Sequence, residues 1–404
     1  MSEDDIHGKS IVSTKSRDVP RRRVLQVVGA AGTIGAVGTA AGDEGSDSEP
    51  YIVGTANREG RDEARRRADS VRHVLHFGDI GWAVAGKFSE RARENLRRRN
   101  DVRYVEEDGE VRAIDHSTDE DGGDPTEEQV LPWGIDRVDA DIAHHDGETG
   151  GGSSVSIIDT GIDPEHETLE VTGGKAFVSC RGGRCAADWD DDHGHGTHCA
   201  GTANGLDNDI GVVGVSTEAD LYAVKVLDSR GSGSMSDVAA GIEWTADQGI
   251  DVGSLSLGGG SSETLKDACE YAQSEGTLLV AAAGNDGPDE DTVSYPAAYG
   301  ECIAVSATTE NDDIADFSSR GEEVELAAPG ADVLSSVPGD DYDRWNGTSM
   351  ACPHVSGAAA QLMEDGYTNE EARQRLNETA EDIGLAATEQ GNGLLDVAAA
   401  LGLD

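Results

Sequence analysis

The sequence predicts an α/β fold, a doubly wound and mainly parallel sheet preceded by a small α+β domain. Three observations predict it. From about Gln129, short continuous apolar runs alternate with helical patterns, as expected of strands covered on both faces by crossover helices. The chemically suggestive residues fall just beyond the ends of those runs, where such sheets place their sites. Residues 51–115 stand apart, with 14 Lys+Arg against 13 Asp+Glu and a strand and helix pattern of their own.

Composition narrows the function. The chain has 404 residues, 80 Asp+Glu, 31 Lys+Arg and a formal net charge of −49. Residues 1–125 hold 20 basic and 25 acidic side chains, leaving 11 and 55, a net of −44, for residues 126–404. Nucleic acid and anionic membrane surfaces are therefore excluded as partners, since both require clustered positive charge. A hydrophobic content of 36% still permits a packed core. A surplus of this size repels itself unless salt screens it, and it reads as adaptation to very salty water.

The elements follow in chain order. Arg21-Arg22-Arg23 and the Ala/Gly/Val stretch to Gly42 have the layout of a twin-arginine export signal, residues 1–42. That implies a secreted, extracellular protein. Residues 43–50 read as an acidic linker. Within 51–115 the pattern reads strand Tyr51–Thr55, helix Asp62–Leu75, strand Ile80–Lys87, helix Ser89–Arg99 and strand Val102–Glu106. Residues 116–128 read as an exposed acidic tether with a processing site. A larger domain then covers 129–404. Its strands are Val155–Ile158, Leu221–Val226, Val252–Leu257, Leu278–Ala282 and Ile303–Ala307. Its helices are Gly196–Asn204, Ser236–Gln248, Ser262–Ser274 and Thr348–Asp365, and an Ala-rich helix ends the chain.

Three motifs carry chemistry. Asp159 closes an apolar strand within Ile157-Ile158-Asp159-Thr160-Gly161; alone it reads equally as a turn or cap. His195 starts a helix in Asp192-His193-Gly194-His195-Gly196-Thr197-His198. The H-x-H-x-x-H spacing of those histidines suggests a metal-dependent hydrolase as a rival, but Thr197 stands where that pattern has an Asp. Ser349 lies in Asn346-Gly347-Thr348-Ser349-Met350-Ala351, at a helix amino end whose N–H groups suit a developing oxyanion. A hydroxyl needs a base to take its proton, and the base needs a carboxylate to orient it. The order Asp159, His195, Ser349 is one of the known chain orders for such a triad.

On these motifs the chain resembles the subtilisin-like serine proteases, the subtilases, over about Gln129–Asp404. Its acidity and export signal make it similar to the halolysin group of halophilic archaea. The resemblance implies the subtilisin-like fold, an inhibitory and chaperoning propeptide of ferredoxin-like α+β form at 51–115, and autoprocessing. It implies that Asn285, in Ala281-Ala282-Ala283-Gly284-Asn285, completes the oxyanion hole. Gly231, Ser232 and Gly233, with Ser256, Leu257 and Gly258, resemble the segments that flank an extended substrate. Ala283, Gly284 and Ser294 would line the primary pocket, which suits a large apolar side chain. Protein and peptide substrates and the chain's own propeptide are the expected partners, with no membrane contact in the mature form and a monomeric state.

The resemblance also implies a calcium loop, with carbonyls from Leu206, Ile210 and Val212 and side-chain oxygens from Asn208 and Gln129. Thr168 stands where the family usually supplies an Asp. Asp188, Asp190, Asp191 and Asp192 read as a second cation site or as a solvated face. No organic cofactor is expected. Of six cysteines, Cys180 and Cys185 can close a small loop and Cys269 and Cys302 can pair. Cys199 and Cys352 are expected as buried thiols, with a bridge between them also open; neither replaces Ser349 as nucleophile.

The charge count yields a first prediction. The Debye length falls from about 10 Å at 0.1 M salt to about 3 Å at 1 M. A Ser349→Ala variant, unable to digest itself, should therefore unfold on dilution below roughly 1 M sodium chloride. Circular dichroism across a salt series checks this; equal stability at 0.1 and 3 M contradicts it.

Overall fold

The computed structural model describes residues 48–114, 117–118, 128–181 and 185–403. The proposed export signal and most of the tether lie outside these residues. The amino-terminal lobe contains β1 (Ser48–Thr55), α1 (Arg58–Arg67), β2 (Ser70–Phe77), β3 (Gly81–Ser89), α2 (Glu90–Arg97) and β4 (Val102–Glu107). Two short strands follow, β5 (Glu110–Ala113) and β6 (Ser117–Thr118). Then come α3 (Trp133–Arg137), α4 (Ala140–Asp146), β7 (Ser154–Asp159), β8 (Val171–Ala176), α5 (His195–Asn204), β9 (Asp220–Lys225), β10 (Ser232–Ser234) and α6 (Met235–Gln248). Next are β11 (Val252–Leu255), β12 (Leu257–Gly259), α7 (Glu263–Glu275), β13 (Leu278–Ala282), β14 (Cys302–Thr308), β15 (Val324–Pro329), β16 (Val333–Val337) and β17 (Asp341–Asn346). The chain closes with α8 (Thr348–Glu364), α9 (Asn369–Thr379), α10 (Ala387–Gln390) and α11 (Val397–Leu401).

The large sheet has seven strands in the order β15-β14-β13-β11-β7-β9-β8, every adjacent pair parallel. Successive side chains point to opposite faces, and here both faces are dry. Val155, Ile157, Ala223, Val280 and Ala282 enter one core with residues of α5 and α8. Ile158, Val224, Leu279 and Ala281 enter a second core with residues of α6 and α7. This is why the strands read as unbroken apolar runs. The doubly wound parallel fold is therefore as the sequence predicts.

The lobe departs from the expected element pattern. The helix expected over Asp62–Leu75 ends at Arg67, and Ala68 is already extended. Residues 70–77 then form β2, whose Leu75 and Phe77 alternate inward. The order is thus β-α-β-β-α-β, and the antiparallel sheet runs β2-β3-β1-β4, the split-βαβ, ferredoxin-like arrangement. Strand β1 also takes Ser48–Pro50 from the expected linker, and Ser117–Thr118 of the expected tether pair with β17.

Ile52, Leu75, Phe77, Ala83 and Ala85 of the lobe join the second core. Acidic side chains of the lobe cap two helices it covers. Glu106 accepts from Glu263 N (2.9 Å), Thr264 N (2.9 Å) and Thr264 Oγ1 (2.6 Å) at the start of α7. Asp108 accepts from Ser236 N (3.0 Å) and Ser236 Oγ (2.7 Å) in the first turn of α6. Arg72 and His73 reach the fully buried Asp237 carboxylate, and Arg103 grips Asp267 through two bonds of 2.6 and 2.8 Å.

Small residues set the approach of α8 to its neighbours. A Cβ on Gly357 would lie 2.6 Å from Val215 Cβ and 2.8 Å from Ala203 O. Gly357→Ala should therefore cost about 1–3 kcal/mol by overpacking, read as a lower melting temperature in the Ser349→Ala background. An unchanged melting temperature would show that this approach is not tight.

Candidate active site

Asp159 is the last residue of β7 and is fully buried. Its Oδ1 accepts from Thr160 N at 2.6 Å and lies 2.8 Å from His195 Nδ1. Val226 N and Leu227 N donate to its carbonyl at 2.9 and 3.1 Å. The strand end is thus pinned from two sides before its side chain meets the imidazole.

His195 opens α5. Gly194 before it has φ +110°, the left-handed region that favours glycine. A Cβ on Gly196 would meet Gly161 O at 2.1 Å, so the helix can approach β7 only without a side chain there. Asp191 supplies the cap that glycine lacks. Its Oδ1 accepts from His193 N and Gly194 N at 2.9 Å each, and its Oδ2 from Thr197 N (3.0 Å) and Thr197 Oγ1 (2.7 Å).

Ser349 is the second residue of α8, which follows the cap Gly347. Its carbonyl accepts from Ser256 Oγ (2.9 Å) and Cys199 Sγ (3.4 Å), tying α8 to the end of β11 and to α5. Asn285 sits just beyond β13. Its Oδ1 accepts from Thr348 N (2.9 Å) and Thr348 Oγ1 (3.0 Å), and Gly284 N donates to Thr348 Oγ1 (3.1 Å). The carboxamide is therefore oriented by its oxygen, with Nδ2 3.1 Å from where a Cβ of Gly347 would stand.

The expected substrate-binding segments enclose a strand of the chain itself. Strand β5 lies between β10 and β12, antiparallel to both. Ala113 N donates to Gly231 O (2.8 Å), Arg112 is the register partner of both Ser232 and Gly258, and Val111 pairs with Gly233. Leu257 pairs with Ala113, and Ile114 N donates to Ser256 O (3.4 Å). Ser349 Oγ lies 3.4 Å from Ile114 O. The Ile114 side chain is buried, with its Cγ1 3.4 Å from where a Gly258 Cβ would stand. Ser294 N donates to Ala283 O (2.8 Å), and Ser294 Oγ would stand 3.3 Å from a Cβ on Gly284. The strand expected over Val252–Leu257 is broken at Ser256 into β11 and β12, which frees the Ser256 carbonyl to face β5.

The structure separates the rival groups. His198 Nε2 faces Val333 O at 3.1 Å while His195 Nδ1 faces Asp159, so the histidine run does not converge on one point. His354, on the same helix as Ser349, has its pKa lowered to about 4 by burial and stays neutral. Burial raises the thiols of Cys199, well above the ordinary value, and of Cys352, to about 11, so neither offers a thiolate at neutral pH. Cys180 and Cys185 are bridged; Cys269 and Cys302 face each other as thiols 3.9 Å apart. In the acidic run Asp188 is exposed, whereas Asp190 and Asp191 are buried and bonded to backbone N–H groups, and Asp192 bonds Lys225 and Arg181 N.

The expected calcium loop fits in part. Gln129 Nε2 donates to Leu206 O (2.6 Å) and Ile210 O (3.2 Å), so these carbonyls converge on one point. A half-turn of that amide would put a third neutral oxygen there, a weak set for a hard cation. Asn208 is instead turned into its own loop, its Oδ1 accepting from Ile210 N at 3.1 Å. Val212 is buried, its residue bridged to Val130. Thr168 Oγ1 bonds His166 Nδ1 (3.0 Å) and Ser336 Oγ (2.8 Å), while its carbonyl accepts from Leu206 N (2.9 Å).

Sequence reasoning missed the supports. Thr160 donates to Asp159 through its N–H and accepts from Gly196 N through Oγ1 (2.9 Å). Lys225 donates to Thr160 O and to Asp192 Oδ1. The available signal was a lysine ending an apolar strand in a region with three lysines.

The model of the subtilase family matches residues 150–394. The chain is 46% identical over 275 residues to Subtilisin Savinase of Lederbergia lenta, covering 67% of this chain and 99% of that protein. It is 44% identical over 302 residues to an alkaline protease of Alkalihalobacillus alcalophilus, covering 74% of each. Against Subtilisin E of Bacillus subtilis it is 39% identical over 372 residues, 89% of this chain and 92% of the relative, a match long enough to include most of the lobe. These relatives are bacterial. The family match over residues 150–394, these identities and the parallel seven-stranded sheet show that the chain belongs to the subtilase family and is a serine-type endopeptidase.

Proposed function

We propose that Asp159, His195 and Ser349 are the catalytic triad and that the lobe is a propeptide bound as the enzyme's first substrate. The observation that carries this is one carbonyl. Ile114 O lies 3.4 Å from Ser349 Oγ, on a strand paired on both sides. In this reading His195 takes the Ser349 proton as the hydroxyl attacks the carbonyl carbon. Asn285 Nδ2 and the Ser349 N–H hold the oxyanion. His195 then gives the proton to the leaving amine, and water reverses the sequence on the acyl-enzyme. Asp159 keeps the imidazole oriented and stabilises its cation.

The register of β5 supports a processing bond at Ile114–Asp115, immediately ahead of the tether in which the sequence reading sought it. Main-chain pairing by Gly231–Gly233 and Ser256–Gly258 supports broad specificity, because it reads backbone. The pocket beside Gly258, Gly284 and Ser294 supports preference for a large apolar side chain before the cut. The lobe's caps on α6 and α7 support an inhibitory and chaperoning role. A calcium ion held by Leu206, Ile210 and Gln129 would lock that loop to the start of the domain. The basic and apolar amino end supports twin-arginine export, and the charge of the catalytic domain supports a salt-requiring enzyme of halolysin type. Among the described residues no helix is long and apolar enough to cross a membrane.

Ser349→Ala should fold but lose roughly 10⁶-fold in kcat, a scale established on subtilisin itself, and should persist as uncut precursor. Amino-terminal sequencing of the wild-type product should begin at Asp115. Processing of purified Ser349→Ala, or a product beginning near Asp43, sinks this reading.

Asn285→Ala should lower kcat by about 10²–10³ with KM nearly unchanged, since the amide serves mainly the transition state. A change confined to KM would reassign Asn285 to substrate binding.

A further inference from the structure

Lys225 is a fully buried lysine, and its place in the mechanism above is unassigned. It ends β9 as the register partner of Asp159. Its Nζ donates to Asp192 Oδ1 at 2.7 Å and to the Thr160 carbonyl. Thr160 touches both halves of the neighbouring pair. Its N–H donates to Asp159 Oδ1 at 2.6 Å, and its Oγ1 accepts from Gly196 N, one residue past His195, at 2.9 Å. Asp192 Oδ2 in turn accepts from Arg181 N at 2.7 Å, in the loop closed by Cys180–Cys185. Removing an ammonium from water is costly, and a well-packed apolar side chain would avoid that cost.

We propose that the Lys225–Asp192 ion pair is a positioning device for the Asp159–His195 pair, acting through Thr160. This rests on the triad reading above. Lys225 fixes the carbonyl of Thr160, and with it the plane of the Thr160–Gly161 peptide. That holds the carboxylate and the first turn of α5 in one frame. Lys225 also places a positive charge in an otherwise negative surrounding. Among the described residues, the charged and titratable groups around His195 include Cys199 and His198 on its own helix, Asp159 from β7, Asp191, Asp192 and His193 from the loop before α5, and Asp343 of β17, which is bonded to Trp345.

The signs follow. Lys225→Met leaves the Asp192 charge uncompensated and favours the imidazolium, so His195 becomes a base only at higher pH. Asp192→Asn leaves the ammonium uncompensated and acts in the opposite direction.

The test is the first-order self-cleavage of the full-length chain at Ile114–Asp115, followed across pH, with folding checked by circular dichroism. Lys225→Met should cleave about 10–100-fold more slowly, with the acid limb of its pH profile moved up by about half a unit. Asp192→Asn should move that limb down, the double variant should return it towards wild type, and Lys225→Arg should recover part of the rate. A Lys225→Met chain with wild-type rate and limb overturns the proposal. So does a slower chain whose limb is unmoved, because that marks a merely structural lysine. If Lys225→Met does not fold, Asp192→Asn and the double variant decide by the direction of their limbs. A wild type that does not cleave itself, or cleavage that survives Ser349→Ala, would count against the triad reading and not against Lys225.

Discussion

A carboxylate with no access to water must be held by something else, and most of this fold can be read as the means of holding Asp159. Burial of an ion is costly unless it is bonded. Here the bonds come from Thr160 N and His195 Nδ1 on the side chain and from Val226 N and Leu227 N on the carbonyl. Each donor belongs to an element that needs the parallel sheet to exist. Strands β7 and β9 run side by side so that their ends coincide, and α5 can start against them only because Gly196 has no side chain. The dry surroundings that make the ion costly also make its pull on the imidazole strong.

The same sheet explains the position of Ser349. Strand β11 lies beside β7 and β13 beside β11, and their continuations carry Ser256 and Asn285, which fix α8 through Ser349 O and Thr348. Helix α8 thus presents its amino end where the strand ends converge. The lobe uses equally local physics. Its acidic side chains cap helices whose first N–H groups have no partner within the helix, and two of its arginines, Arg72 and Arg103, meet buried carboxylates. A nearly neutral lobe is thereby joined to a strongly acidic domain at points where the domain's charge is sequestered.

Much of this was legible in the sequence, for physical reasons. Strands buried on both faces cannot hide among polar residues, so Leu278–Ala282 is read to the residue and β7, β9 and β14 to within two. The motifs around Asp159, His195 and Ser349 were legible because glycines and small residues there answer to close backbone approach. The lobe was less legible. Between Arg61 and Arg72 a run of arginines imitates an exposed helix, and no glycine or proline marks where α1 ends and β2 begins. The break at Ser256 leaves no mark in an apolar run. The roles of Lys225, Thr160 and Asp192 depend on which strand ends lie side by side, which only the folded chain defines. Asn208 is similar: its residue type suited a ligand set, but a bond from Ile210 N within its own loop claimed its oxygen.

The claim that the buried Asp159 makes His195 the base for Ser349 is tested most directly by covalent labelling. A fluorophosphonate reacts with a serine only as fast as its base removes the proton. The account predicts a single adduct, on Ser349, in the matured enzyme. It further predicts labelling about 10⁴-fold slower at neutral pH in Asp159→Asn, the scale of loss when a triad carboxylate is neutralised. An adduct on another residue, or labelling of Asp159→Asn within a few-fold of wild type, would contradict it.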